Sequence, residues 1–149
     1  MTVKEAAYDG NRLMVSVIYT SEQELSSDRS EFGEISINGQ PVIAAGGRTG
    51  QNDIDANTTI EHHQLTFANP NEYGDEIEVT VHGENLFGYE GEWKVSFSLE
   101  KVEGEVSEFT PSVNASTSDE VITIAAEKVT ISPLATTINL SVDYPIEFK

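Results

Sequence analysis

Cysteine is absent from the 149 residues, which excludes disulfide staples, thiolate metal sites and cysteine nucleophiles. Basic residues are scarce. Eight Lys and Arg stand against 26 Asp and Glu, giving a formal charge of −18. Such a surface repels nucleic acid and anionic lipid and keeps the chain soluble. Long hydrophobic runs are missing as well, for no stretch nears the roughly 20 apolar residues that span a bilayer. Met1–Glu5 has no apolar h-region. An exported location is therefore expected only if these residues are a segment of a longer protein, and the stop at Pro145–Lys149, straight after a strand-like run, is read the same way.

What is present is a 38% apolar fraction and a mean hydropathy of −0.30, the balance of a globular domain. About 150 residues suffice to hide roughly two-thirds of the unfolded surface. The apolar residues recur with period two. Leu13, Val15, Val17 and Tyr19 form one such row, and Ile77, Val79 and Val81 a second. Trp93, Val95, Phe97 and Leu99 form a third, and Ile138, Leu140, Val142 and Tyr144 a fourth. Each row alternates with polar residues, the mark of a strand with one face in a core and one in water.

Further strands are expected between these rows. Val3–Tyr8 meets the Arg12 strand through the turn Asp9-Gly10-Asn11. Phe32–Ile37 and Gln40–Ile43 flank Asn38-Gly39. Thr58–Phe67 is rich in β-branched and aromatic residues. Along Glu120–Ile131 the apolar parity shifts, from Ile122, Ile124 and Ala126 to Val129 and Ile131, which predicts a bulge or a strand that changes sheets. Residues 21–31, 44–57 and 103–118 read as loops. The expected fold is an all-β, immunoglobulin-like, two-sheet antiparallel sandwich of about eight or nine strands, with a barrel as the structural alternative. A single domain over 1–149 is expected, the alternative being a linker at 103–118 with 119–149 beginning a further unit.

Motifs for chemistry are weak. Ala44–Gly50 is Gly-rich but lacks the Gly-Lys-Ser/Thr ending and a following helix, so it is no phosphate loop. Asp53, Asp55 and Asn57 have the opening spacing of an EF-hand loop, but Thr58 stands where its glycine belongs and Gln64 where its bidentate glutamate would be. His62 and His63 are adjacent, so on a strand they point to opposite faces, and His82 is the only other histidine. No Gly-x-Ser-x-Gly elbow occurs, and among 26 acids a close carboxylate pair carries little information. Asn57, Asn114 and Asn139 open Asn-x-Ser/Thr triplets, which chance explains in a chain this rich in Ser and Thr. Trp93 is expected in the core. Phe87 and Tyr89 are expected to cap the sandwich, with a sugar-binding contact patch as the alternative. No catalytic, cofactor-binding or metal-ligating residue is assigned, no cofactor is expected, and no ligand-binding residue is identified.

Three segments carry a resemblance. Val3–Leu13 resembles the opening hairpin of a Firmicute family of extracytoplasmic domains of unknown function. Gly91-Glu92-Trp93-Lys94-Val95-Ser96-Phe97 is similar to that family's Gly-x-Trp-x-hydrophobic strand. Lys128–Thr137 looks like the segment leading into its companion C-terminal domain. The missing cysteine points mildly to an exported protein of Gram-positive bacteria and is compatible with a cytosolic one too. The resemblance implies a non-catalytic sensor or regulatory ectodomain of a membrane-anchored anti-sigma factor, a negative effector of an ECF-type sigma factor. It implies a place on the outer face of the bacterial membrane. The partner would be an unknown protein or cell-envelope ligand. The sigma factor would be held by a cytoplasmic segment that these residues do not include. A cell-wall or carbohydrate-binding adhesive module is the alternative.

Overall fold

The computed structural model describes residues 1–25, 33–117 and 122–144. Phe32, most of the expected 21–31 loop, Ser118, the start of the expected 120–131 strand and Pro145–Lys149 lie outside them. The chain forms two compact units, Met1–Glu103 and Gly104–Lys149.

The first unit contains eight strands: β1 Thr2–Tyr8, β2 Arg12–Thr20, β3 Glu34–Ile37, β4 Gln40–Pro41, β5 Ala44–Asp55, β6 Thr58–Phe67, β7 Glu76–Glu84 and β8 Glu92–Glu100. One sheet has the order β1-β2-β6-β5 and the other β4-β3-β7-β8. All pairings are antiparallel. Lettered in chain order, these are the ABED sheet and the C′CFG sheet of an immunoglobulin sandwich. The inward rows of the two sheets meet in one core. Tyr8, Leu13, Val15, Val17, Tyr19 and Phe67 come from the first sheet, and Ile37, Ile77, Val79 and Val81 from the second. Burying each aliphatic side chain contributes about 1.5–3 kcal/mol. Valines fill the middle of β2 and β7, the two strands that the inter-sheet disulfide joins in antibody domains.

The expected hairpins form. Asp9 Oδ1 accepts hydrogen bonds from the backbone N–H groups of Asn11 (2.9 Å) and Arg12 (2.7 Å), and Gly10 takes φ +86°, a conformation a side chain opposes. Asn38 and Gly39 both have positive φ, 52° and 75°, as a two-residue hairpin turn requires. The second expected strand of that hairpin stops early, since β4 covers only Gln40–Pro41.

Two expected loops are strands. Residues 44–55 form β5, an edge strand paired only with β6. Its backbone extends although Gly46, Gly47 and Gly50 interrupt it and most of its side chains are exposed. Cross-strand bonding to β6 fixes it where local propensity does not. Residues 107–109 and 114–116, within the expected 103–118 loop, form β9 and β10.

The second unit is one antiparallel sheet of β9 Ser107–Phe109, β10 Asn114–Ser116, β11 Thr123–Ile131 and β12 Thr136–Asp143. β12 lines one edge of β11, and β9 and β10 share the other. The register slips between Ala126 and Lys128, which is the bulge the parity shift predicts. It returns Ile124, Ala126, Val129 and Ile131 to one face. The twelve strands among the described residues exceed the expected eight or nine, and the additions are β5, β9 and β10, none of which carries an apolar row.

Candidate functional site

Two features stand apart from ordinary packing. The first is polar and buried. On β6 the side chains of Thr59, Glu61, His63 and Phe67 are buried on the core side. Glu61 lies opposite Val17, and His63 opposite Val15. The Glu61 carboxylate accepts a hydrogen bond from the Tyr19 hydroxyl at 2.7 Å and another from the Gly33 backbone N–H at 3.0 Å. Gly33 has no room for a side chain, because a Cβ would sit 2.9 Å from Val81 Cγ1 and 3.1 Å from the Tyr19 hydroxyl. His63 Nε2 lies 3.2 Å from Glu61 Oε2 but out of line for a hydrogen bond, and its Nδ1 is 3.4 Å from Thr49 Oγ1. Burial, then the Glu61 charge and hydrogen bond, push the Tyr19 phenol far above its ordinary range.

Phenol, carboxylate and imidazole are the group types of acid–base chemistry. Here Tyr19, Glu61 and His63 are 3%, 1% and 4% exposed, so the cluster is enclosed. The other buried carboxylate among the described residues, Asp9, sits at the β1–β2 turn, several strand positions from Glu61. These two do not form the close pair that glycoside hydrolysis requires.

The second feature is apolar and exposed. Antiparallel pairing sets Ile124 against Val142, Ala126 against Leu140, Val129 against Ile138 and Phe109, and Ala115 against Ile124. Directly paired residues share a face. One face of the second unit's sheet is thus Phe109, Val113, Ile124, Ile131, Ile138, Leu140 and Val142, with Tyr144 continuing the β12 row. These side chains are 42–64% exposed. The other face carries Glu108, Lys128 and Asp143. There Glu108 pairs with Lys128 (2.5 Å) and accepts a hydrogen bond from Thr130, contacts that hold its carboxyl below the usual range, the Lys128 hydrogen bond most of all. The sequence shows the alternation of β12 but implies a buried row, whereas Ile138 and Leu140 are more than half exposed.

The residues singled out by sequence scatter. Ala44–Gly50 belongs to β5. Asp53 Oδ1 accepts a hydrogen bond from Thr59 Oγ1 (3.0 Å), and Asp55 Oδ1 accepts one from the Asn57 N–H (2.8 Å), closing the two-residue β5–β6 turn. They build a hairpin rather than a cation loop. His62 and His63 do face opposite ways, His62 Nδ1 lying 2.8 Å from Ser16 Oγ. His82 on β7 lies 3.4 Å from Glu92. Phe87 is buried and stacks edge-on against Tyr19 at 4.9 Å, at a positive φ of 56° that is costly for a bulky residue. The Tyr89 hydroxyl donates to the Glu24 carbonyl at 3.0 Å. Both rings cap the sandwich. Trp93 is partly buried against the core, and its Nε1 has no hydrogen-bond partner among the described residues.

Among the described residues no cluster of three or more His, Cys, Asp or Glu could hold a metal ion, and no helix is long and apolar enough to cross a membrane. No protein-family model matches the sequence, and no curated protein matches it. The fold is similar to the crystal structure of a conserved domain protein from Bacillus anthracis, with a TM-score of 0.72 and 17% identity over 97% of this chain and 50% of that one. At that identity the likeness concerns the fold, and the present chain spans about half the length of that protein. The chain is an all-β protein built on an antiparallel immunoglobulin-like sandwich.

Proposed function

We propose that the chain is a non-catalytic, extracytoplasmic regulatory module of a membrane-anchored negative effector of an ECF-type sigma factor. The observation that carries this reading is the ordered run of three resembling segments: the Asp9-Gly10 turn, the Gly91-x-Trp93 strand, and Lys128–Thr137. They fall on the β1–β2 hairpin, β8 and the β11–β12 hairpin. All three are elements of architecture, and none brings a reactive group, so the module acts by making and breaking contacts. A rigid sandwich outside the membrane would bind a protein or envelope ligand, or cover the stalk from proteolysis, and so control release of the sigma factor inside. The acidic surface favours partners other than nucleic acid or anionic lipid.

A carbohydrate-binding wall module is the alternative. The Phe87 and Tyr89 rings that would form its platform are engaged in capping, so such a site would have to be built elsewhere. Deletion of residues 1–149 from the membrane-anchored protein tests the regulatory reading, with sigma-dependent transcription as the readout.

A further inference from the structure

The β3–β4 turn holds a reactive pair that the regulatory reading does not use. Asn38-Gly39 is the one Asn-Gly pair of the chain, and it forms the two-residue turn closed by the Ile37–Gln40 pairing. We propose that Asn38 is a self-modification site, at which the Gly39 backbone nitrogen drives conversion of the side-chain amide to aspartyl and isoaspartyl products.

The step is an intramolecular substitution. The Gly39 nitrogen, once base has taken its proton, attacks Asn38 Cγ. The N–Cγ bond forms, the Cγ–Nδ2 bond breaks, and ammonia leaves after taking up a proton from solvent. Water then adds to either carbonyl of the cyclic succinimide and opens it to aspartate or isoaspartate.

Three features of the turn favour this step. Asn38 and Gly39 are both exposed, and a Cβ added at Gly39 would meet nothing within 4 Å, so nothing crowds the nitrogen and water reaches the ring. Asn38 Oδ1 accepts a hydrogen bond from the Glu78 backbone N–H at 2.9 Å. That donor is aimed at the oxygen on which negative charge grows as Cγ becomes tetrahedral, as in an oxyanion hole, and it holds the oxygen rather than Nδ2, the leaving group. The attack also needs the Asn38–Gly39 peptide to swing towards Cγ. The limb that resists is slight, since β4 is two residues long, lies at a sheet edge and includes Pro41, which has no N–H to give. Asp9-Gly10 lacks these features, because Asp9 is fully buried and a Cβ at Gly10 would collide with Asn71. Aspartate at 38 keeps the bond from Glu78 and adds a negative charge. Isoaspartate inserts a backbone carbon that a two-residue turn has no room for, so β4 should detach from β3.

The test incubates the folded 149-residue chain in neutral and in mildly alkaline buffer. Mass spectrometry then follows the tryptic peptide ending at Arg48, in which Asn38 is the one asparagine. A mass gain equal to the exchange of an amino group for a hydroxyl is expected there, faster at the higher pH. Isoaspartate should be detected as methyl acceptance from an isoaspartyl methyltransferase. Peptides holding the other asparagines should keep their mass over the time in which this one is half converted. Gly39→Asn tolerates the positive φ of 75° but screens the nitrogen, so it should lose most of the gain, with circular dichroism confirming that the sheets persist. Should that variant unfold, Asn38→Asp, which keeps the acceptor for Glu78, should show no gain at all. Conversion confined to the urea-unfolded chain overturns the proposal, because the turn then protects Asn38. So does a gain that Gly39→Asn leaves unchanged in a folded chain, one that persists in Asn38→Asp, or one spread equally over the other asparagines.

Discussion

Tyr19 and Glu61 provide the sharpest test of the reading of the sandwich core. Tyr19 donates to Glu61 at 2.7 Å, a short bond to an acceptor that is 1% exposed. Its only other hydrogen bond among the described residues comes from Gly33. Tyr19→Phe keeps the ring against Phe87 and removes only the donor. A hydrogen bond to a buried charged group contributes about 1.5–3 kcal/mol, and a neutral one about 0.5–1.5 kcal/mol. Glu61→Gln keeps the shape and the acceptor for Gly33 while removing the charge. In that background Tyr19→Phe should cost about 1 kcal/mol less than in the native chain, which is the coupling energy of a double-mutant cycle. Urea unfolding followed by Trp93 fluorescence suits the measurement, because Trp93 is the single tryptophan and lies in the unit that holds both residues. Each kcal/mol should also move the midpoint of thermal unfolding by about 4–8 °C for a unit of this size. Additivity of the two substitutions within about 0.3 kcal/mol, or a Tyr19→Phe variant as stable as the native chain, would refute a stabilising hydrogen bond from Tyr19 to the Glu61 carboxylate.

Two pH predictions accompany it. Burial, followed by the charges of Asp75 and Asp9, pushes the Tyr8 phenol up from 10.0 to about 12. Because the folded value exceeds the unfolded one, the associated stability is complete below pH 10 and is lost as pH rises towards 12. Phenolate absorbance should show Tyr8 and Tyr19 titrating only as the sandwich unfolds, and a smooth titration of every tyrosine near pH 10 contradicts this. Glu108 behaves in the opposite sense. Its lowered value means that the stability gained from Lys128 and Thr130 is present above the ordinary 4.5 and is lost as pH falls below it. Glu108→Gln should therefore flatten the acid limb of the second unit's unfolding, as followed by circular dichroism, and an unaltered limb removes that role.

The sequence makes some parts of this protein legible and hides others for physical reasons. β2, β7 and β8 are readable because each buries one face, and period two survives in Leu13–Tyr19, Ile77–Val81 and Trp93–Leu99. The β11 bulge is readable because a single extra residue reverses the parity of Ile124 and Val129. β5 is hidden because an exposed edge strand needs no apolar row, and its glycines imitate a loop. The 103–118 stretch hides β9 and β10 in the same way, since three-residue strands leave no periodic signal. The Tyr19–Glu61–His63 cluster is hidden because a buried carboxylate is recognised only by the partners that tertiary folding brings to it. The β12 row shows which side chains share a face but not what covers them, and so the exposure of Ile138 and Leu140 emerges only in three dimensions.

The regulatory reading meets its most direct test in the cell. A strain producing the membrane-anchored protein without residues 1–149, at the native level in the membrane fraction, is compared with the parent for transcription from promoters of the cognate ECF-type sigma factor. If the proposed regulatory role holds, removing the module changes that transcription, in its basal level or its response to envelope stress, while the anchored remainder still binds the sigma factor. Transcription identical to the parent in both conditions would contradict it.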